Sequence, residues 1–180
     1  MMRCFLCIEI KKPEIISKIL QFQEELKPID AKIKFVETGN LHFTLKFLGE
    51  IDPILVDEIY SVMKGTPFSA FTMTVEKVGL FWPRVIWIGI SKGREELAAI
   101  TSFLNQNLKK LGFKPEKRKF SPHVTIGRIK YVKDRNLLNN LVEKWRNQLF
   151  GNIEISAFQL KKSILTPKGP IYSILKEING

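Results

Sequence analysis

Two short stretches constrain this chain more than anything else in it. They are Leu41-His42-Phe43-Thr44-Leu45-Lys46-Phe47 and Pro122-His123-Val124-Thr125-Ile126-Gly127-Arg128, and they hold its only two histidines. In both, an apolar residue, a threonine and an aliphatic residue follow the histidine, and the composition is apolar and β-branched enough to read as a strand. Side chains alternate faces along a strand, so His42 shares a face with Thr44, and His123 with Thr125. The intervening Phe43, Leu45, Val124 and Ile126 then turn toward a core. With threonine at only 8 of 180 positions, coincidence is a poor account of finding one two residues after each histidine.

Imidazole titrates near neutrality, so two of them facing one another supply a general base and a general acid within one turnover. A threonine hydroxyl on the same face is a donor sized for a phosphoryl oxygen. Two histidines, two hydroxyls and a nearby cation therefore make a site for opening or closing a phosphodiester without a metal. For either histidine alone, a satisfied place on a sheet face is the plainer reading. The pairing is what favours catalysis. Metal ligation is disfavoured because no carboxylate or thiolate stands at a regular ligand spacing beside either motif.

The repeated His-x-Thr-x unit, with hydrophobic residues at x, resembles the signature of the two-histidine phosphoesterase superfamily. Four longer stretches, in the same order, resemble its RNA 2′,3′-cyclic phosphodiesterases, also called 2′-5′ RNA ligases. They are Arg3-Cys4-Phe5-Leu6-Cys7-Ile8-Glu9-Ile10, His42-Phe43-Thr44-Leu45-Lys46-Phe47-Leu48-Gly49, Pro83-Arg84-Val85-Ile86-Trp87 and Ser121-Pro122-His123-Val124-Thr125-Ile126-Gly127-Arg128. The resemblance spans essentially the whole chain. It implies an α+β fold of two pseudo-symmetric lobes, antiparallel sheet plus helices, with the two motif strands lining a central cleft. It also implies that a 2′,3′-cyclic phosphate RNA end is opened to a 2′-phosphate, with joining to a 2′-5′ linkage as a further activity. Carried onto these residues, it makes His42 the general acid, His123 the general base, and Thr44, Thr125 and Arg128 the phosphate ligands, with no cofactor and no metal. Two rivals stand beside it: an RNA-end-binding module without turnover, and a phosphodiesterase for small cyclic nucleotides.

Arg128 poses a problem of its own, because strict alternation puts it on the face opposite His123. Gly127 permits a bulge that re-aims it. Lys46, two steps beyond Thr44, is expected on the histidine face. The basic run Lys114, Lys117, Arg118 and Lys119 is read either as a collector of RNA backbone at the cleft mouth or as a solvated loop. The formal net charge of +11 suits a polyanionic partner but is weak evidence alone.

At 180 residues and 44% apolar content, the chain is expected to form one domain over 1–180, acting as a monomer. No apolar run approaches the roughly 20 residues that span a bilayer. Glu9, Lys11, Lys12 and Pro13 break up the pattern of a signal peptide, so a cytoplasmic protein without membrane association is expected. Cys4 and Cys7 form a C-x-x-C. On a strand they lie about 10 Å apart on opposite faces, too far for a disulfide, and no second pair completes a zinc site. They are read as buried core thiols.

Periodicity and punctuation predict strands over 3–10, 32–36, 41–48, 68–80, 84–91, 121–130, 152–164 and 170–178. They predict helices from Pro13 to about Leu26, from Asp52-Pro53 to Gly65, over about 94–111 up to Gly112, and from Asp134 to Leu149. The first helix should bury Ile15, Ile16, Ile19, Leu20 and Leu26. Phe81, Trp82 and Trp87, around a Trp-Pro junction, are read as core or hairpin residues ahead of base-stacking ones. The order helix, His-x-Thr strand, helix, paired strands occurs twice, which suggests an internal two-fold.

Overall fold

A computed structural model describes residues 1–115, 120–167 and 169–180. Among these, the strands are β1 (Met2–Glu9), β2 (Ala31–Phe35), β3 (His42–Ile51), β4 (Phe71–Phe81), β5 (Val85–Ile90), β6 (Val124–Val132), β7 (Leu149–Ile155), β8 (Ala157–Leu165) and β9 (Pro170–Asn179). The helices are α1 (Pro13–Leu26), α2 (Val56–Lys64), α3 (Arg94–Leu108) and α4 (Arg135–Lys144). Their ends follow local chemistry. Pro13 opens α1, where its missing N–H has no partner to lose. The Asp52 carboxylate accepts from Ile54 N in a 3₁₀ turn leading into α2, and Asp134 caps α4 by accepting from Asn136 N and Leu137 N. A second 3₁₀ turn carries α3 on to Gly112, whose φ of +87° suits a residue without a Cβ.

The strands form one antiparallel sheet in the order β7-β4-β5-β6-β3-β1-β8-β9, with β2 pairing on β6. This order reads the same from both ends once β1 is matched with β5, β3 with β6, β8 with β4 and β9 with β7. It is the internal two-fold the repeated elements suggest. The lobes are not the two halves of the sequence, however. Helix α1 leaves β1 but packs on β6, β7 and α4, whereas α3 leaves β5 but packs on β3 and α2. Each half thus donates a helix across the two-fold. Ile15, Ile19, Phe22 and Leu26 of α1 are buried, and the Phe22 ring sits 4.9 Å from that of Trp145. At roughly 1.5–3 kcal/mol per fully buried apolar side chain, this one helix face contributes on the order of 8 kcal/mol of gross burial energy to joining the halves.

Several boundaries differ from the sequence reading. Leu20 is exposed and Phe22 takes its place, because the buried stripe lies one position further round the helix. The last helix stops at Lys144, after which the chain turns and enters β7 at Leu149. The expected strand over 152–164 is two strands, β7 and β8, meeting at Ser156. Strands β2 and β3 are joined by the 3₁₀ turn Thr38–Asn40, and β2 pairs with the far half of β6. Cys4 and Cys7 are buried free thiols, and burial pushes them up to about 11 and about 12. Both stay protonated and unreactive at neutral pH.

Candidate active site

The two motif strands meet at the centre of the sheet, where Phe43 pairs with Val124. His42 is the first residue of β3, and His123 lies immediately before β6 instead of within it as expected. Strand entry leaves a ring nitrogen close to the chain just behind it. His42 Nδ1 lies 2.7 Å from the carbonyl oxygen of Asn40, and His123 Nδ1 lies 2.7 Å from that of Ser121. A carbonyl oxygen only accepts, so Nδ1 carries the proton in each ring. Nε2 is left in both as the nitrogen that exchanges protons.

Both strands bulge immediately after the motif. On β3 the pairing with β1 passes from Cys7↔Thr44 to Leu6↔Lys46, so Leu45 and Lys46 stand together where one residue is expected. On β6 the pairing with β5 passes from Trp87↔Thr125 to Ile86↔Gly127, which does the same with Ile126 and Gly127. A bulge reverses the facing of everything beyond it. Arg128 therefore joins the cavity face with His123 and Thr125. Space favours the glycine, since a Cβ at position 127 would crowd Cγ2 of Ile33 at 3.1 Å and need that side chain to give way. The bulged carbonyl of Ile126 accepts from Val36 N and from the buried Gln23 of α1.

The same device overturns the expectation for Lys46. That residue turns into the interior, 2% exposed, and donates to Asn105 Oδ1 and to the carbonyl of Lys114, while Phe47 faces the cleft. Where β6 presents an arginine to the cleft, β3 presents a phenylalanine.

A cavity of about 850 Å³ is lined by His42, Thr44, His123, Thr125 and Arg128 together. Its walls differ on the two sides. Phe5 lies 5.0 Å from the His42 ring and Tyr172 stands edge-on to it at 5.5 Å; Asn40, through Nδ2, holds the start of β9 by the carbonyl of Pro170. On the other side Phe81 meets the His123 ring edge-on at 4.9 Å and stacks on Trp87 at 5.1 Å. Trp87 lies across Gly79, where a Cβ would stand 2.2 Å from its Cζ2, so the expected hairpin role holds for Trp87 while Phe81 reaches the site. Arg3, Lys34 and Lys130 add positive charge, against Glu37 and Glu50. Lys114 is exposed; Lys117, Arg118 and Lys119 of the basic run lie outside the described residues.

Enclosure changes the chemistry of His42. Burial is the largest influence and pushes its pKa down to about 4; the bond to Asn40 and the charge of Glu9 work upward, while Lys161 and Arg128 push further down. In the free protein at neutral pH this ring is uncharged.

The family model of LigT-like phosphoesterases matches this chain twice in succession, over residues 8–87 and 88–172, one match for each His-x-Thr unit. The chain belongs to the LigT-like phosphoesterases. Its similarity to the protein named RNA 2′,3′-cyclic phosphodiesterase from Methanocaldococcus jannaschii is 39% identity over 98% of this chain and 99% of that one. With the protein of that name from Archaeoglobus fulgidus it is 37% over 97% and 98%. The crystal structure of TT0787 from Thermus thermophilus superposes with a TM-score of 0.83 over 99% of this chain and 97% of that one, at 24% identity, which speaks for the fold alone.

The sequence reading of this LigT-like phosphoesterase overlooked the residues around the motifs. Asn40 and Ser121 act through backbone carbonyls, which no side-chain pattern marks. Glu9 carried a signal: a carboxylate ending a strand whose residues 4–8 are all apolar, it lies directly across from His42 in the β1–β3 register. Its partner Lys161 on β8 had none, because only the sheet order brings them together.

Proposed function

We propose that this protein is an RNA 2′,3′-cyclic phosphodiesterase that opens the cyclic end to a 2′-phosphate by acid–base catalysis between its two histidines. One observation carries the reading: both imidazoles have Nδ1 committed to a backbone carbonyl two residues earlier, and both line one cavity with Thr44, Thr125 and Arg128. The names of the archaeal relatives support the substrate.

In this reading His123 Nε2 takes a proton from water as its oxygen bonds to phosphorus. The bond from phosphorus to the 3′ oxygen breaks, and His42 Nε2 gives that oxygen its proton. The products are a 2′-phosphate and a 3′-hydroxyl, with the two protonation states exchanged and restored through solvent. Thr44 and Thr125 donate to the non-bridging oxygens and Arg128 offsets the charge that develops there. His42 is neutral in the free protein and must be charged to act as the acid; the anionic diester supplies the attraction that raises its pKa on binding. A 5′-hydroxyl in place of the water gives the 2′-5′ joining reaction by the same proton path.

The whole chain, 1–180, acts here as one two-lobed domain and as a monomer. No helix among the described residues is long and apolar enough to cross a membrane, and two unpaired buried thiols suit a reducing cytoplasm. The test is to incubate pure protein with an RNA ending in a 2′,3′-cyclic phosphate and identify the end group. A 2′-phosphate is expected. Tight binding with the ring intact would favour the non-catalytic module, and turnover of cyclic mononucleotides alone would favour the small-molecule enzyme.

A further inference from the structure

Lys161 is 4% exposed, a burial that an ammonium reaches only with strong compensation. The compensation comes from Glu9, which accepts from Lys161 on one oxygen and pairs with Lys11 on the other. The position of this group is specific. Glu9 faces His42 directly across the antiparallel β1–β3 pair, and Phe5, whose ring packs on His42, faces Lys161 across the β1–β8 pair. Directly opposed residues of an antiparallel pair share a face. Glu9, Phe5, Lys161 and His42 therefore occupy one patch on one face of the sheet. The buried ion pair stands behind one histidine of the cavity, on the side away from Arg128.

We propose that Glu9 and Lys161 are positioning residues for His42, a fixed pair of opposite charges that sets how readily this ring takes up a proton. The ammonium adds to the bias toward the neutral ring that burial sets while the cleft is empty, and the carboxylate limits that bias, so an arriving anion has less to overcome. The inference rests on His42 being the proton carrier of the proposed reaction.

Other charged or titratable groups line the cavity with His42 or reach it through the ion pair. They are Arg128, His123 and Lys130 from the β6 side, Lys34 from β2, Tyr172 from β9, Arg3, Cys4 and, through Glu9, Cys7 and Lys11 from β1, Glu50 from β3, and Glu37 from the turn before β3. All of them stay in place in the variants below, so the change read is that of the pair.

A merely structural ion pair predicts loss of stability when either partner is removed, with no preferred direction for His42. A positioning pair predicts opposite directions. The chain has two histidines, so two imidazole Cε1–H resonances report their titrations separately, and His42→Gln assigns them. Lys161→Met removes the ammonium and should raise the His42 midpoint by on the order of one pH unit; Glu9→Gln should lower it by a similar amount. The double variant should return toward wild type, and Lys161→Arg, which keeps the charge, should leave the midpoint unmoved. Should Lys161→Met fail to fold, Glu9→Gln and Lys161→Arg still decide the sign. Shifts of the same sign in Glu9→Gln and Lys161→Met, or a midpoint untouched by Glu9→Gln, overturn the proposal. The readout needs no turnover, so an inactive protein with opposite shifts would refute the proposed reaction, while the pair's hold on the basicity of His42 would stand without its catalytic meaning.

Discussion

Folding places an imidazole where water solvates it poorly, and acid should therefore unfold this protein partly through one residue. His42 titrates at about 4 in the folded chain against 6.5 as the ordinary value, with burial as the main cause. Between those pH values the unfolded chain binds the proton and the folded one does not, so stability falls as pH falls. The contribution is fully present above about pH 6.5 and is lost as pH drops through the folded value. A difference of about 2.5 units at 1.36 kcal/mol each gives about 3 kcal/mol, a ceiling because the ring retains some contact with solvent. The perturbation is His42→Gln, which cannot titrate. Urea unfolding of both proteins at pH 7.5 and pH 4.5 isolates the residue, because the carboxylates that also titrate in acid, Glu9 and Glu25 among them, are common to both. Wild type should lose more than the variant over that interval, by up to about 2.5 kcal/mol. Equal losses would refute the reasoning, since His42 would then be solvated enough to titrate normally.

Replacing the bridging 3′ oxygen of the cyclic substrate by sulfur makes the leaving group a thiol that departs without a donated proton. Turnover by His42→Ala should recover substantially and that by His123→Ala should not; the opposite pattern reverses the two roles. Treatment with EDTA should leave the rate unchanged, and loss restored by one particular divalent ion would contradict a mechanism carried by histidines, hydroxyls and arginine. Lys46→Met should lower stability by on the order of 2 kcal/mol, because Asn105 and the Lys114 carbonyl lose their buried donor, while activity per folded molecule persists. Lost activity with unchanged stability is the result expected of a cleft-facing lysine and would contradict the bulge.

Local sequence carries what alternation, capping and punctuation can carry. The spacing of two within each motif placed His42 with Thr44 and His123 with Thr125 without any fold in hand, because a strand's period of two is a property of the backbone. Pro13, Asp52, Asp134 and Gly112 marked helix ends by the donors and dihedral angles they accommodate. Gly127 announced the bulge that turns Arg128 toward the cavity. Lys46 shows the limit of such reasoning. The equivalent bulge in β3 has no glycine to mark it and arises from the pairing with β1, so alternation put lysine and phenylalanine on the wrong faces.

Only the tertiary structure decided which residues from distant segments meet. The order β6-β3-β1-β8 brings Glu9 and Lys161, 152 positions apart, behind His42, and the exchange of α1 and α3 across the two-fold sets Gln23 against the bulge at Ile126. The same packing encloses His42 between Phe5 and Tyr172 and lowers its basicity. The chain by itself determined that two imidazoles with paired hydroxyls would be presented where the two motif strands begin. How much charge each would tolerate depends on burial and on groups brought together from elsewhere in the chain, and those are properties of the assembled sheet.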